Sequence, residues 1–134
     1  MSLTITPDIH QPFLSQHARE FRKTYSIGNS KGRVPQTKQK NLIVEEFKEF
    51  LEADSDLWRN NSTLTAACLK ELADLVYVCY QYAENMGWDL DEALYRVHES
   101  NMSKLDENGK PIYREDGKVL KGPNYAPPNL ENLV

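Results

Sequence analysis

Apolar residues recur along much of the chain at the three- and four-residue spacing of amphipathic helices. In the first such stretch, from about Pro12 to Thr24, the residues Phe13, His17 and Phe21 follow one another at i, i+4. Proline suits the first turn of a helix, where the backbone amide has no partner within the helix. We therefore predict a first helix here, with His17 as a packed, hydrogen-bonded residue of its apolar face.

Two polar stretches interrupt this periodicity. Residues 22–40 contain six basic and no acidic residues together with Gly, Ser and Pro, a composition typical of a loop. The loop is either a solvated connector or a basic flap close to an anionic ligand. A second helix is predicted over about 38–53, and residues 54–65 are interpreted as a polar break.

The third helix has the strongest apolar character. Either Thr63 or Thr65 is its candidate N-cap, and Gly87 offers a C-terminal stop just after Met86. Apolar side chains occupy nearly every direction around its axis, which is typical of a central, buried helix.

A fourth helix is predicted from Asp89, an N-cap with Glu92 three residues on in a capping-box pattern, to about Leu105. Asn-Gly, Asp-Gly, Gly-Pro and Pro-Pro pairs follow, so the rest of the chain is expected to be irregular, with a short hairpin around 112–119. Four helices with fairly short connections favour an all-α, four-helix bundle-like fold with an irregular C-terminal tail.

Length and composition narrow the classes of protein. With 134 residues and 40% hydrophobic content, we expect one domain over 1–134, with a helical core over about 12–105 and a turn-rich tail over 106–134. The net charge of -4 gives no basic excess for binding a nucleic acid polymer. The N-terminus does not resemble a signal peptide and no apolar run reaches roughly 18 residues, so we expect no membrane span. Cys68 and Cys79 would lie about 16 Å apart on one helix, too far for a disulfide, and a reducing cytoplasm is the expected setting.

The candidate chemistry begins with two acids inside the apolar third helix. Glu71 and Asp74 lie in the run KELADLVYVCY, where unpaired carboxylates are costly. We expect Lys70 to point away from Glu71, so that it does not supply the missing positive charge. The second helix carries three more acids on one face, within the run EEFKE: Glu45, Glu46 and Glu49.

Placed side by side, the two helices would bring these five carboxylates together. Like charges so close destabilise a fold, and an all-oxygen ligand set on rigid helices is what Mg²⁺ or Mn²⁺ requires. The ordinary alternative for a lone Glu-x-x-Asp pair is a solvated acidic face. A di-iron bundle would need Glu-x-x-His pairs, and none of His10, His17 or His98 has a glutamate three residues before it. The acids therefore predict a divalent-cation site suited to phosphate chemistry.

The end of the fourth helix offers candidate phosphate contacts. Asn101 and Lys104 lie one turn apart; lysine can pair with a polyphosphate, and asparagine with a sugar hydroxyl or a phosphate oxygen. The alternative is an ordinary helix end, where lysine complements the helix dipole. Further basic residues follow on the tail, at Lys110, Arg114, Lys118 and Lys121.

Together, these runs resemble a known signature. EEFKE followed about twenty residues later by ELAD resembles the EExxE…ExxD motif of the all-α nucleoside triphosphate pyrophosphohydrolases, the MazG-like superfamily. That superfamily includes dimeric dUTPases, dCTPases and phosphoribosyl-ATP pyrophosphohydrolases. The run VHESNMSKLDENGKPIYREDGKVLKGPNYAPP resembles the C-terminal part of the phosphoribosyl-ATP pyrophosphohydrolase-like subgroup of bacteria and phages, so the resemblance spans roughly residues 40–128.

The resemblance implies hydrolysis of a (deoxy)nucleoside triphosphate between the α- and β-phosphates, for nucleotide-pool control or house-cleaning. Glu45 would orient or deprotonate the attacking water, or hold a further ion. Asn101 and Lys104 would contact the sugar and phosphates, with Lys121 assisting. The family's dimers and tetramers imply self-association here. By position, the ligands of Mg²⁺, for which Mn²⁺ would substitute, would be Glu46, Glu49, Glu71 and Asp74.

Two alternative functions remain open. A phosphoribosyl-ATP pyrophosphohydrolase of histidine synthesis would share the metal chemistry and differ in its substrate. A non-catalytic helical dimerisation or regulatory module would be favoured by the loss of a metal ligand, whereas all five acids are present here.

Overall fold

The computed structural model describes residues 13–60 and 64–134, and the backbone in these ranges is mostly helical. The predicted all-α fold class is confirmed. The regular elements of the described residues are α1 (Leu14–Thr24), α2 (Arg33–Asn60), α3 (Thr65–Met86), α4 (Leu90–Met102), β1 (Ile112–Tyr113), β2 (Val119–Leu120) and a 3₁₀ turn (Glu131–Leu133).

The chain divides into two compact units, a first unit Met1–Gly87 and a second unit Trp88–Val134. The first contains α1, α2 and α3, and the second contains α4, the two strands and the 3₁₀ turn. The single domain expected over 1–134 stays a prediction.

Helix α2 begins earlier than predicted, at Arg33 instead of about residue 38. Pro35 falls within its first turn, where a missing backbone N–H breaks no helical hydrogen bond. The predicted loop over 22–40 is therefore wrong at both ends, because α1 and α2 leave only residues 25–32 between them.

Helix α2 also ends later than predicted, because the supposed polar break is helical as far as Asn60. No glycine or proline interrupts this stretch. Leu57 continues the half-buried row of Phe50 and Ala53 at i, i+3 and i+7, so the inner face of the helix persists beneath a polar outer face.

The start of α3 differs from the predicted cap, whereas its end agrees. Thr65 is the first helical residue and Leu64 occupies the cap position, while Pro12 and Thr63 lie outside the described residues. Gly87 ends the helix in the left-handed conformation, with φ 74°, and its amide donates to the carbonyl of Glu84.

Helix α4 begins as predicted and ends one turn early. The carboxylate of Asp89 accepts a hydrogen bond from the Glu92 amide at 3.1 Å, which confirms the N-cap. The helix stops at Met102, not at Leu105, because Leu105 leaves the helical path to form a β-bridge with Pro111.

The core of the first unit is built on α3. Helix α2 packs antiparallel against it, since Gln36 near the start of α2 donates to the Tyr82 hydroxyl near the end of α3 at 2.9 Å. Helix α1 packs on another side of α3, and Gln81 donates to the carbonyl of Ala18. The buried apolar residues in the described part of the chain are Ala18, Cys68, Tyr80, Ala83 and Met86.

Two expectations about burial are wrong for this unit. Helix α3 is not buried all round, because α1 and α2 leave a row of apolar side chains exposed along it. His17 is likewise exposed instead of packed in the core. The exposed α3 row consists of Leu69, Leu72, Val76 and Tyr77.

A buried arginine ties the α1–α2 loop to α3. Arg22 is only 3% exposed, and its guanidinium donates to the side chain of Asn29 at 2.6 Å and to the carbonyl of Gly28 at 3.0 Å. It also donates to Asn85 at 3.1 Å and to Gln81 at 3.2 Å, both on α3. Because several donors of one planar group are fixed at once, the loop and both helices share a single anchor.

Asn85 reinforces this anchor from the α3 side. Its amide group donates to the carbonyl of Ser30 at 2.8 Å and its oxygen accepts the Ser30 amide at 3.0 Å. Burial lowers the pKa of Arg22, and the charge of Glu84 partly offsets that effect. The loop over residues 25–32 is thus joined to α1 and α3 by hydrogen bonds.

The tail of the second unit returns along α4. Arg96 on α4 donates to the carbonyl of Asn129 at 2.9 Å and to the side chain of Asn132 at 2.6 Å. The Asp89 amide donates to the carbonyl of Leu133 at 3.0 Å. The C-terminal residues are therefore attached to both the start and the middle of α4.

The predicted hairpin is confirmed. Strands β1 and β2 pair antiparallel, with Ile112 opposite Leu120. The turn between them contains Gly117, whose φ of 90° favours glycine, and it is closed by the Arg114–Asp116 ion pair.

Both cysteines are free thiols, as expected from their spacing. None of the helices in the described ranges combines the length and the apolar character that crossing a bilayer requires.

Candidate active site

Three glutamates meet where α2 faces α3. Glu46 and Glu49 come from successive turns of α2 and Glu71 comes from α3, and one carboxylate oxygen of each lies within 4.8 Å of the others. The i, i+3 spacing puts the first two on one helical face, and the antiparallel packing brings the third against them. The structure thus brings together three of the four predicted metal ligands.

Two oxygens of this cluster are buried without a partner. Glu46 Oε2 and Glu71 Oε2 are inaccessible to solvent and accept no hydrogen bond from the described residues. Buried carboxylate oxygens normally have donors, and an unsatisfied one destabilises the fold. A cation bound between the two carboxylates would satisfy both oxygens.

Crowding of like charges is strongest at Glu46. Its pKa is raised from 4.5 to about 7, chiefly by burial, then by a hydrogen bond with Glu49 and by the charges of Glu49, Asp74 and Glu71. Without a cation, the cluster therefore holds a proton at a pH where a free glutamate has lost it.

Asp74 stands apart from the three gathered glutamates. Its Oδ2 lies 2.9 Å from the ammonium of Lys70, one turn earlier on α3, and Lys70 also lies 3.4 Å from Glu71 Oε1. The expectation that Lys70 points away from Glu71 is therefore wrong. The long lysine stem crosses the helix surface and reaches the carboxylates at both i+1 and i+4.

The donor set fits a hard divalent cation. All the candidate ligand atoms are carboxylate oxygens on two rigid helices, and two of them are buried and unsatisfied. Mg²⁺ and Mn²⁺ prefer such oxygen ligands, whereas iron and zinc sites commonly include histidine or cysteine.

Glu45 is exposed on α2 and does not belong to the gathered set. Two acids that the sequence interpretation missed, Glu52 and Asp56, line a cleft of about 270 Å³ together with Glu49 and Glu71. They continue the acidic row of α2 at i+3 and i+7 from Glu49, and this helical spacing is the sequence signal that identifies them. The predicted helix end at about residue 53 excludes Asp56 from this row, whereas Glu52 lies within the predicted helix.

The predicted phosphate contacts belong to the second unit. Asn101 is exposed in the last turn of α4, and its carbonyl accepts the amide of the half-buried Lys104 at 3.3 Å. Lys121 lies in the tail with its ammonium 4.7 Å from the centre of the Tyr125 ring, in a cation–π contact. Their roles in substrate binding stay predictions.

A family model of phosphoribosyl-ATP pyrophosphohydrolase matches residues 8–101. The chain belongs to this family. The match covers most of the chain and includes all five predicted acids and Asn101, whereas Lys104 and Lys121 lie beyond it. No curated protein matches the chain.

Membership of the family makes the acidic cluster part of a pyrophosphohydrolase fold, as the resemblance of the two acidic runs implied. The family acts on nucleotides and releases pyrophosphate. The family match is equally consistent with a nucleoside triphosphate and with phosphoribosyl-ATP as the substrate.

Proposed function

We propose that the protein hydrolyses a (deoxy)nucleoside triphosphate between the α- and β-phosphates, giving a nucleoside monophosphate and pyrophosphate. The proposal is carried by the three gathered glutamates, two of which have a buried and unsatisfied oxygen, in a chain of a pyrophosphohydrolase family. Mg²⁺ is the proposed cofactor and Mn²⁺ its substitute. When bound, the cation would neutralise phosphate oxygens and lower the pKa of water.

The side chains divide the remaining work. The metal would be held by Glu46, Glu49 and Glu71, with Asp74 as a fourth ligand. Glu45, exposed beside them on α2, would accept the proton of the attacking water. The water oxygen forms a bond to the α-phosphorus as the bond to the bridging oxygen breaks, and that oxygen leaves with pyrophosphate.

Three residues in the C-terminal part of the chain are the proposed substrate contacts, as the resemblance implies. Lys104 and Lys121 would pair with phosphate oxygens, which stabilises the charge that develops on the leaving pyrophosphate. Asn101 would donate to the sugar or to a phosphate. The cation–π contact with Tyr125 would restrict the Lys121 side chain and limit the entropy lost on binding.

Phosphoribosyl-ATP is the second candidate substrate, because the matching family model is named after its pyrophosphohydrolase. It carries the same triphosphate and releases the same pyrophosphate, so the family match supports both substrates equally. The two candidates differ in physiological role: nucleotide-pool control or house-cleaning for the first, histidine synthesis for the second. A non-catalytic dimerisation module is the least supported reading, because every acid of the signature is present.

We also propose that the chain works in the cytoplasm as a dimer or tetramer. Support for self-association comes from the exposed row of α3, which together with Leu14 and Ala18 of α1 lines an apolar groove of about 420 Å³. Exposed apolar surface of this kind is typical of protein interfaces. A second copy of the chain is the proposed occupant.

Pyrophosphate release from a panel of dNTPs, NTPs and phosphoribosyl-ATP tests the reaction. We expect release from one or a few triphosphates with Mg²⁺ or Mn²⁺, and none with EDTA. Release from phosphoribosyl-ATP alone would replace the first candidate by the second. The absence of pyrophosphate release from every compound of the panel would favour the non-catalytic module.

A further inference from the structure

Among the described residues, Lys70 is the basic side chain that forms ion pairs with the candidate metal ligands. Its ammonium lies 2.9 Å from Asp74 Oδ2 and 3.4 Å from Glu71 Oε1. The other ion pairs of the described residues involve neither of these acids. One lysine therefore supplies the positive charge that this end of the cluster has without a metal ion.

The contacts of Glu71 and Asp74 differ, and the difference shows at which of the two acids Lys70 would compete with a cation. Glu71 gives Oε1 to the lysine, while its Oε2 is buried without a partner, so it can accept a cation without releasing Lys70. Asp74 instead pairs closely with Lys70 and is not among the three carboxylates gathered within 4.8 Å. We propose that Lys70 competes with the divalent cation for Asp74, so that completing the metal site requires the ammonium to leave this carboxylate.

This inference rests on the proposed function, because it takes Asp74 as a metal ligand. The pair is suited to exchange: the Lys70 side chain is 67% exposed and that of Asp74 is 38% exposed. Solvated ion pairs are weak, and lysine can swing its flexible stem into water at little energetic cost. A cation near Asp74 would also be repelled by the ammonium as long as the ammonium stays. Lys70 therefore lowers the affinity of the site for metal and keeps the fourth ligand exchangeable.

The test compares Lys70→Gln with Lys48→Gln in the full-length protein, using Mn²⁺ alone as the probe. Lys48 follows Glu46 closely on α2 and is exposed, and it makes no ion pair with a described residue. The control removes the same charge close to the cluster without removing a contact. Mn²⁺ dissociation constants are measured by electron paramagnetic resonance at fixed ionic strength, and circular dichroism verifies that each variant folds.

We expect Lys70→Gln to bind Mn²⁺ about threefold more tightly or better, because an exposed ion pair corresponds to a factor of a few. Lys48→Gln should change the affinity much less, and Lys70→Arg should keep the wild-type affinity. In an Asp74→Asn background the gain from Lys70→Gln should disappear, because the contested carboxylate is gone.

Equal or weaker binding by Lys70→Gln would overturn the proposal, since Lys70 would then support the metal ligands instead of competing with the ion. A gain that persists in the Asp74→Asn background would overturn it too, by placing the competition elsewhere. So would the absence of Mn²⁺ binding in both wild type and variant. The proposed reaction is judged independently, by metal-dependent pyrophosphate release from the wild-type protein.

Discussion

Glu46 on α2 and Glu71 on α3 approach one another across the helix interface, and each keeps one buried carboxylate oxygen that no donor of the described residues reaches. An apolar pair at these positions would pack without such a penalty. The buried, unsatisfied carboxylates therefore make the metal-free fold less stable, at the place where the proposed chemistry needs negative charge. Substitutions that remove this negative charge should therefore lower activity without lowering the stability of the metal-free fold.

We expect Glu71→Gln and Asp74→Asn to lower pyrophosphate release by about 100-fold or more, because each removes a negatively charged ligand of the proposed metal. Both variants should keep the helical circular dichroism signal. Glu71→Gln should melt at the same or a higher temperature in EDTA, because it relieves repulsion within the cluster. Steady-state assays and thermal melts measure these effects.

Asp54→Asn is the matched control, since Asp54 is an exposed acid on α2 outside the cluster. It should leave both activity and melting temperature nearly unchanged. Full activity in Glu71→Gln or Asp74→Asn would remove that residue from the metal site.

The metal-free protein should lose stability as the pH rises from about 4.5 to about 7. Over this range folded Glu46 retains a proton, because its pKa is about 7, whereas the unfolded chain, with a value of 4.5, has released it. The folded state therefore binds more protons, and the free energy of unfolding falls with rising pH. Below the unfolded pKa the contribution is complete, and it is lost as the pH passes the folded pKa.

Thermal melts in EDTA at several pH values test this dependence. Glu46→Gln should flatten the curve, because the amide does not titrate. Saturating Mg²⁺ should oppose the fall, since a cation replaces the proton among the carboxylates. A wild-type melting temperature in EDTA that rises steadily across the window would contradict the assignment of the proton to Glu46.

The number and type of the helices follow from local sequence, but the length of α2 does not. Apolar spacing predicts all four helices, and single residues such as Gly87 and Asp89 fix two helix ends through conformations that are strictly local. Helix α2 extends further because α3 covers its inner face, and polar side chains on the outer face neither favour nor prevent this. Polar composition alone therefore does not predict where that helix ends.

The residues of the candidate site likewise divide into those whose placement the sequence predicts and those whose placement it does not predict. Helical spacing predicts that Glu46, Glu49 and Glu71 share a face or an interface, and the structure brings them together. Asp74 instead pairs with Lys70, and the direction of the lysine side chain does not follow from the angular position of its Cβ atom. The hydrogen bonds of Arg22 to Gln81 and Asn85 join residues far apart in sequence and have no local signal.

Loss of the buried arginine should destabilise the first unit. Arg22→Gln removes the guanidinium donors of the Asn29, Gln81 and Gly28 oxygens, so we expect a loss on the order of 3 kcal/mol in the free energy of unfolding. Urea unfolding measures it. Arg22→Lys should lose less, because it keeps the charge but not the planar array of donors.

Lys23→Gln is the control for this change, because Lys23 is the next residue of α1 and is exposed. It should change stability by less than about 0.5 kcal/mol. Equal effects of the two substitutions would mean that the buried hydrogen bonds of Arg22 contribute little.

Gly122 should tolerate no side chain. A Cβ atom there would overlap the Leu105 carbonyl oxygen and lie 2.6 Å from its carbon, so Gly122→Ala forces the tail away from the end of α4. We expect faster amide exchange at Ala126, whose N–H donates to Ser103 Oγ at 2.9 Å. Gly28→Ala is the control, because a Cβ atom at Gly28 meets open space. Unchanged exchange in Gly122→Ala would show that the tail accommodates the methyl group.

The exposed row of α3 should hold two copies of the chain together. Leu69 is 64% exposed and lines the apolar groove with α1, so burying it in a partner is favourable, whereas burying a glutamate there is costly. We expect the wild type to be a dimer or tetramer and Leu69→Glu to weaken association by about 100-fold or more. Light scattering after size-exclusion chromatography measures both. Val34→Glu, at a 67% exposed position outside the groove, should keep the wild-type mass. A monomeric wild type, or equal loss of association in both variants, would mean that this groove does not form the interface between copies.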